Sequence, residues 1–275
     1  MKTVRVAITG LSGSGKTVFI TALVNQLLNW RRENMPDFPK KKQAWPIKAE
    51  LLPVPDGRRV FPYEENLVLL RKNPPQWPPS TTTASEIHVR VSFRHTRHRE
   101  GGVYEAHGRW HDLRLELVDY PGEWIVDLPL RALDFRMWSA RALAETESAA
   151  RHAHAQEWRA ALAALPCDAP YDAGHAARLA AAYREYLRAC RAAASGLVYL
   201  QPGRFLMPGE LEGRAVLEFC PLMSDGARPA RRGKTPATLR DVFTARFEEY
   251  KRTVVRPFYD EHFSRARAQV VLVDL

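Results

Sequence analysis

The sequence predicts an α/β fold, a core sheet interrupted by large, mainly helical inserts. Three observations predict it. The stretch "VRVAITGLSGSGKTVFITALVNQLL" (4–28) runs from β-branched residues through a glycine cluster into helical spacing. "SEIHVRVSF" (85–93) and "DLRLELVD" (112–119) alternate polar and apolar residues as strands do. From about 134 to 194 the pattern turns helical and rich in Ala and Arg.

The first of these carries the most specific signal. Gly10-Leu11-Ser12-Gly13-Ser14-Gly15-Lys16-Thr17 satisfies every fixed position of GxxxxGK[ST], with a strand pattern before it and a helix pattern after it. Gly10, Ser12, Gly13, Ser14 and Gly15 are thus expected to curl the backbone so that several N–H groups face one anion. The helix that follows adds its positive end. Lys16 is expected on the β- and γ-phosphates and the Thr17 hydroxyl on Mg²⁺. This is the phosphate loop of the P-loop NTPases.

Between the two alternating strands lies a polar, glycine-bearing stretch, "RHTRHREGGVYEAHGRWH", so they read as an antiparallel hairpin. Its second strand runs straight into Asp119-Tyr120-Pro121-Gly122. An Asp at the end of a buried strand can serve Mg²⁺, and a glycine three residues on can offer its amide to a γ-phosphate. A D-x-x-G loop after a hairpin is the second switch of GTPases, whereas the core strands of small-molecule kinases are parallel. GTP is therefore the expected nucleotide. An ATP-dependent phosphotransferase and a binding-only scaffold stay open as alternatives.

Glu123 follows that glycine, the position that orients the attacking water in Ras-like proteins. Its charge beside a triphosphate is electrostatically awkward, and capping of the segment "WIVDLPL" is the other role open to it. "PPQWPPSTTTASE" (74–86) reads as an extended loop in which Thr81 or Thr83 is the expected first-switch threonine, a Mg²⁺ ligand and catalytic residue. No arginine lies between positions 73 and 89, and position 78, three before Thr81, is Pro. An arginine finger contributes about 10³ to 10⁵ in rate, so slow hydrolysis is expected.

Other features carry less. "GKT" recurs at 233–235, but Arg228 stands where a first glycine is required. His95, His98, His107 and His111 read as exposed polar residues of the hairpin and its loop. "AQVVLVDL" (268–275) is a strand pattern whose Asp274 rivals Asp119 as the magnesium carboxylate. The middle of the chain reads as two long helices joined by a Pro/Gly loop, then short strand-like runs in "GLVYLQPGRFLMPGELEGRAVLEFCPLM", then a last long helix with an apolar face of Phe243, Phe247, Tyr250, Val254, Phe258 and Phe263. The expected organisation is a nucleotide-binding core, 1–133 and 266–275, with an insertion at about 33–76 and a mainly helical insert at 134–265.

The 275 residues carry a net charge of +10, but the basic residues are mostly Arg scattered through Ala-rich helices. A solvated face is expected, and no nucleic-acid partner. Cys167, Cys190 and Cys220 form no CxxC pair, which argues against a disulfide framework or zinc knuckle. The N-terminus lacks a secretory apolar region, so the cytoplasm is the expected compartment, with peripheral association at the inner face of the membrane as an extension.

Together, "ITGLSGSGKTVFITALVNQLL", "WPPSTTTASEI", "LVDYPGEWIVDLPL", "QPGRFLMPGELEG", "LEFCPL" and "YKRTVVRPFYDEHFSRARAQVVLVDL" resemble the YcjX family of bacterial stress-associated P-loop proteins. The resemblance runs the length of the chain. It implies a GTP-binding, Gα-like fold with large helical inserts and a link to envelope stress. It supports Gly10–Thr17 and Asp119–Gly122 as nucleotide sites and favours Thr81 as the switch threonine. A protein partner reached through the switches or the helical insert is a further expectation. Members of that family are longer and carry a TKxD-like guanine motif beyond this region; nothing of the form [NT]KxD occurs here. The chain thus reads as an N-terminal portion whose core sheet is incomplete at the C-terminus, leaving an open edge at 268–275.

Overall fold

The computed structural model describes residues 1–30, 44–98, 104–165, 170–193, 199–223 and 237–273, including the backbone alone at 44–47, 95–98 and 104–107. The chain divides into two compact units. One joins Met1–Pro121 with His262–Leu275; the other is Gly122–Glu261.

The first unit is built on a mixed five-stranded sheet. Its strands are β1 (Lys2–Thr9), β2 (Ala44–Leu52), β3 (Ser85–His98), β4 (Tyr104–Asp119) and β5 (Ala268–Val271), in the order β2-β3-β4-β1-β5. β1 runs parallel to β4 and β5, while β2, β3 and β4 pair antiparallel. Helix α1 (Lys16–Leu28) follows the glycine loop, and α2 (Tyr63–Leu70) follows β2.

Alternation along the strands separates the two faces. Val6 and Ile8 of β1, Ile87, Val89 and Val91 of β3, and Leu113, Leu115 and Leu117 of β4 join Ile20 and Val24 of α1 in one apolar cluster. The opposite face carries a chain of ion pairs. Arg58 meets Glu86, Arg114 meets Glu116, and Arg5 meets the other oxygen of Glu116, at 3.0, 3.1 and 3.0 Å. Buried His88 links these groups. Its Nδ1 accepts from Arg114 at 2.7 Å, since a guanidinium can only donate, which leaves Nε2 to donate to Glu86 at 3.0 Å.

The hairpin is longer than the alternation suggested. Strand pairing extends to His98↔Tyr104, so most of the polar stretch expected as loop is strand, and His95 and His107 are register partners. Sequence reading also missed β2, which lies within the segment expected as an insertion. Its Pro46 hides the strand pattern; in the structure that Pro sits on an edge strand beside a register shift, where a missing N–H costs least. β5 is shorter than the expected 268–275 and forms the other edge of the sheet.

The second unit opens with a 3₁₀ stretch, Gly122–Ala132, followed by α3 (Phe135–Glu145), α4 (Ala149–Ala163) and α5 (Ala173–Ala192). The first expected helix is broken in two. Thr146 donates its hydroxyl to the Leu143 carbonyl at 2.6 Å and Ser148 takes the N-cap position of α4. Asp134 and Asp172 cap α3 and α5 by accepting from the amides of Met137 and His175, both at 2.7 Å. Residues 199–223 hold short 3₁₀ turns, at Gly203–Phe205, Gly209–Leu211 and Ala215–Leu217, where strand-like runs were expected.

The last helix is also divided, into α6 (Leu239–Tyr250), a π-helical turn (Lys251–Val255) and α7 (Arg256–His262). Pro257 has no N–H for the carbonyl four residues back, and the wider turn absorbs that missing bond. Thr238 and Asp241 form a reciprocal capping box at the start of α6. The core of this unit is aromatic: Trp138 stacks on Phe247 at 5.1 Å and packs edge-on against Phe219 and Tyr183. Of the apolar face read from the sequence, Phe243, Phe247, Tyr250, Val254 and Phe258 are buried, and Phe263 is half-buried.

Among the described residues, no helix is long and apolar enough to cross a membrane.

Candidate functional site

The glycine loop joins the end of β1 to the start of α1. Gly13 and Gly15 both adopt φ +84, a conformation that side chains resist, and Gly15 is the N-cap of α1. No side chain caps that helix start. At Gly10 the restriction is contact: a Cβ there would lie 2.2 Å from Ser14 Oγ and 2.7 Å from the Leu272 carbonyl oxygen. Lys16 is buried, and its Nζ donates to the Gly10 and Leu11 carbonyls, both at 3.0 Å. Ser14 Oγ is buried with no hydrogen-bond partner among the described residues. Ser12 is exposed.

Strand register brings Asp119 and Thr81 to this loop. β1 pairs with β4 through Ala7↔Val118, so the loop after β1 leaves the sheet at the end where Asp119 stands. β3 pairs with β4 through Ser85↔Asp119, so the segment entering β3 starts beside the same carboxylate. The result is a three-residue cluster. Thr17 and Thr81 each donate their hydroxyl to Asp119 Oδ2 at 2.8 Å, and the two hydroxyl oxygens lie 3.1 Å apart. Thr83, the alternative to Thr81, instead accepts from Arg59 at 2.7 Å in an exposed position. Asp274, the rival carboxylate, lies outside the described residues.

Asp119 is 2 % exposed, and its second oxygen, Oδ1, is buried without a hydrogen-bond partner among the described residues. Burial raises its pKa above the ordinary carboxylate value; the hydroxyls of Thr81 and Thr17 and the charge of Lys16 pull against that rise.

These residues fit a magnesium ion. Each threonine commits its one proton to Asp119, so both hydroxyl oxygens keep lone pairs for a cation. Mg²⁺ takes hard oxygen ligands at about 2.1 Å in octahedral geometry, which spaces neighbouring oxygens by about 3 Å. The separation of the threonine hydroxyls matches that edge, and Asp119 Oδ1 is a buried acceptor without a hydrogen-bond partner among the described residues.

Gly122 and Glu123 open the second unit. Glu123 is buried, and its Oε1 faces Arg191 of α5 at 2.6 Å as an ion pair. Sequence reasoning missed Arg191. It is one of many arginines in an Ala/Arg-rich helix, 68 positions beyond Glu123, and no local pattern sets it apart.

Glu123 is also fixed through its backbone. A Cβ at Gly203 would lie 1.8 Å from the Glu123 carbonyl oxygen, so only glycine fits against this segment. Trp124 donates its indole N–H to the Met207 carbonyl at 2.8 Å and lies under the Arg204 guanidinium, 3.2 Å from the ring centre. Asp127 accepts from the Gly203 amide at 2.8 Å and from the Tyr250 hydroxyl at 2.5 Å. Burial pushes the Asp127 carboxyl up to about 6 in spite of these donors.

Comparison with known proteins agrees with these observations. Residues 4–275 match the YcjX-like family, DUF463. A protein of Escherichia coli (strain K12) named Ras-like GTPase YcjX is 37% identical over 276 residues, which are 98% of this chain and 57% of that protein. A protein of the same name from Shewanella oneidensis is 34% identical over 285 residues, with the same coverage of each chain. This chain therefore spans 57% of the length of these relatives. On the match along its length, the chain belongs to the YcjX-like family.

Proposed function

We propose that this chain binds GTP with Mg²⁺ at the Gly10–Thr17 loop and hydrolyses it slowly. The observation that carries this reading is the convergence of Thr17, Thr81 and Asp119 beside Lys16, in a family whose relatives are named Ras-like GTPases. The antiparallel β3–β4 pair ahead of Asp119 separates the arrangement from all-parallel kinase sheets.

In this mechanism the amides of Gly13 to Lys16 and the Lys16 ammonium hold the β- and γ-phosphates. Thr17, Thr81 and Asp119 would hold Mg²⁺, which when bound would offset the charge on the phosphate oxygens. Gly122 offers its amide to the γ-phosphate, and Glu123 accepts a hydrogen from the attacking water and so aims its oxygen. The water oxygen forms the new bond to γ-phosphorus as the bond to the β–γ bridging oxygen breaks. GDP leaves with that bridging oxygen, and the proton of water goes to the phosphate product and solvent. Catalysis is positioning and charge complementarity, and with no arginine at 73–89 the rate stays low.

Loss of the γ-phosphate would release the segments around Thr81 and Gly122, and that change is the signal offered to a protein partner. The family likeness makes envelope stress the setting in which we place it.

The test is titration with GTP, ATP and their non-hydrolysable forms, with and without Mg²⁺, alongside phosphate release. Expected are Mg²⁺-dependent affinity for GTP over ATP and turnover well below ~1 s⁻¹. No Mg²⁺-dependent affinity for any purine triphosphate would remove this function. ATP preference with transfer to an acceptor would replace it with a phosphotransferase.

A further inference from the structure

We infer that a cleft in the helical unit binds a multiply charged, phosphate-bearing anion, on residues other than those of the glycine loop. The cleft is about 600 Å³, and every side chain lining it belongs to Gly122–Glu261. That size falls within the roughly 300 to 1,000 Å³ of small-molecule sites. The inference does not rest on the GTPase reading.

Four cationic side chains line the cleft: Arg131 from the end of the 3₁₀ stretch, Lys251 and Arg252 from the π-helical turn, and Arg256 from the start of α7. Glu248 and Glu249 of α6 line it as well. Lys251 and Glu248 are matched to each other. The Lys251 Nζ donates to Glu248 at 2.9 Å and to the Leu133 carbonyl at 2.8 Å. Three arginines are then left against one carboxylate, Glu249. Among the described residues, no carboxylate pairs with Arg131, Arg252 or Arg256. Elsewhere in this unit arginines are matched: Arg141 and Arg151 meet Glu145, Arg159 meets Glu147, and Arg188 meets Glu185. The cleft is thus a local excess of positive charge, unlike the scattered, paired arginines of α4 and α5.

Two features hold these groups in place. The Arg131 guanidinium lies 3.6 Å from the centre of the Tyr259 ring, and stacking fixes its plane while leaving its N–H edges to a ligand. The Arg256 amide bonds the Lys251 carbonyl five residues back, so the wide turn before Pro257 sets the wall from which Lys251, Arg252 and Arg256 project. Turns of this kind recur at functional sites. Cations gathered around one cleft repel, and a bound anion relieves that repulsion. Guanidinium forks match the oxygens of phosphate two at a time. With Glu249 on the wall, a single negative charge is held weakly, whereas a group with two or more keeps a net attraction. That selects phosphate over a lone carboxylate.

The test is isothermal titration of pyrophosphate, without Mg²⁺, into wild-type chain, Lys16→Ala, Arg131→Ala, Arg252→Ala/Arg256→Ala and Glu249→Gln, each first checked for a cooperative thermal transition. Expected is a site that survives Lys16→Ala and weakens about tenfold or more in the arginine variants, since each removes charge-assisted donors. Glu249→Gln is expected to bind about threefold tighter, because a repelling charge is gone. Side chains that only shape the fold predict no such gain. Citrate, which offers carboxylates alone, is expected to bind about tenfold more weakly than pyrophosphate.

No site in Lys16→Ala, or an affinity that the arginine variants leave unmoved, overturns the inference; so does Glu249→Gln binding no tighter than wild type. Equal affinity for citrate overturns phosphate as the ligand. Co-flotation with phosphatidylcholine vesicles, with and without phosphatidic acid, separates the sources of the phosphate. Arginine-dependent capture by phosphatidic acid names a lipid headgroup, and pyrophosphate binding without capture names a soluble phosphate.

Discussion

Thr17 and Thr81 stand 64 positions apart in sequence, yet their hydroxyls lie 3.1 Å from each other and share one oxygen of Asp119. The first belongs to the helix after the glycine loop, the second to the segment entering β3. Two loops that share one carboxylate give a cation a reason to hold both. Thr17→Ala and Thr81→Ala are each expected to weaken Mg²⁺-dependent GTP binding about tenfold, roughly 1.4 kcal/mol, and Asp119→Ala more. Thr83→Ala should stay within about twofold. Isothermal titration with Mg²⁺ and with EDTA checks this; equal losses under both conditions would show that the threonines act on something other than the cation.

Gly203→Ala forces a methyl group into the Glu123 carbonyl. Backbone cannot rotate away as a side-chain end can, so the substitution is expected to cost about 3 kcal/mol or more. Urea denaturation followed by tryptophan fluorescence reads this loss. A midpoint equal to that of wild type would mean the 201–205 segment does not pack here in solution.

Gly10→Ala meets two obstacles, Ser14 Oγ and the Leu272 carbonyl. The hydroxyl can turn aside; the carbonyl belongs to the chain just after β5. Both thermal stability and GTP affinity are expected to fall, because the loop must shift to admit the methyl group. Intact affinity in a folded variant would indicate that the loop adopts another path when it binds nucleotide.

Asp127 gives a pH dependence whose sign follows from its environment. Its carboxyl rises from an ordinary 3.8 to about 6 on folding, so the folded chain binds a proton more tightly than the unfolded one. The stability tied to this proton is complete below about pH 4, declines as pH rises, and is gone above about pH 6, a change of roughly 3 kcal/mol. Asp127→Asn cannot ionise. Relative to wild type it should therefore fare better at pH 7.5 than at pH 4.5 by about 2 kcal/mol, since part of the change is already complete at the lower pH. Urea midpoints of both proteins at the two pH values provide the comparison; a difference that does not move with pH would place the titration elsewhere.

What was legible in the sequence was what is encoded locally. The strand–glycine–helix order around Lys16 and the strand ending at Asp119 announce themselves within about ten residues each, and the structure places both. Thr81 and Thr83 are chemically alike and two positions apart, so local pattern does not separate them; the family resemblance favoured Thr81, and in the structure it is Thr81 that reaches Asp119. β2 was hidden because Pro46 breaks the pattern and its partner lies some forty residues on. Arg191 with Glu123, and Tyr250 with Asp127, are contacts across 68 and 123 positions, made by residue types that recur throughout the chain. Nothing short of the fold selects them.

The long β3–β4 ladder works as a measuring rod. Strands advance about 3.4 Å per residue, so a slip of two positions that kept every apolar side chain on its proper face would still carry Thr81 about 7 Å away from Asp119. Thirteen matched positions reaching out to His98↔Tyr104 make such a slip costly. The distant, polar end of the ribbon therefore keeps the near end in step, and with it the spacing on which any magnesium ion would depend.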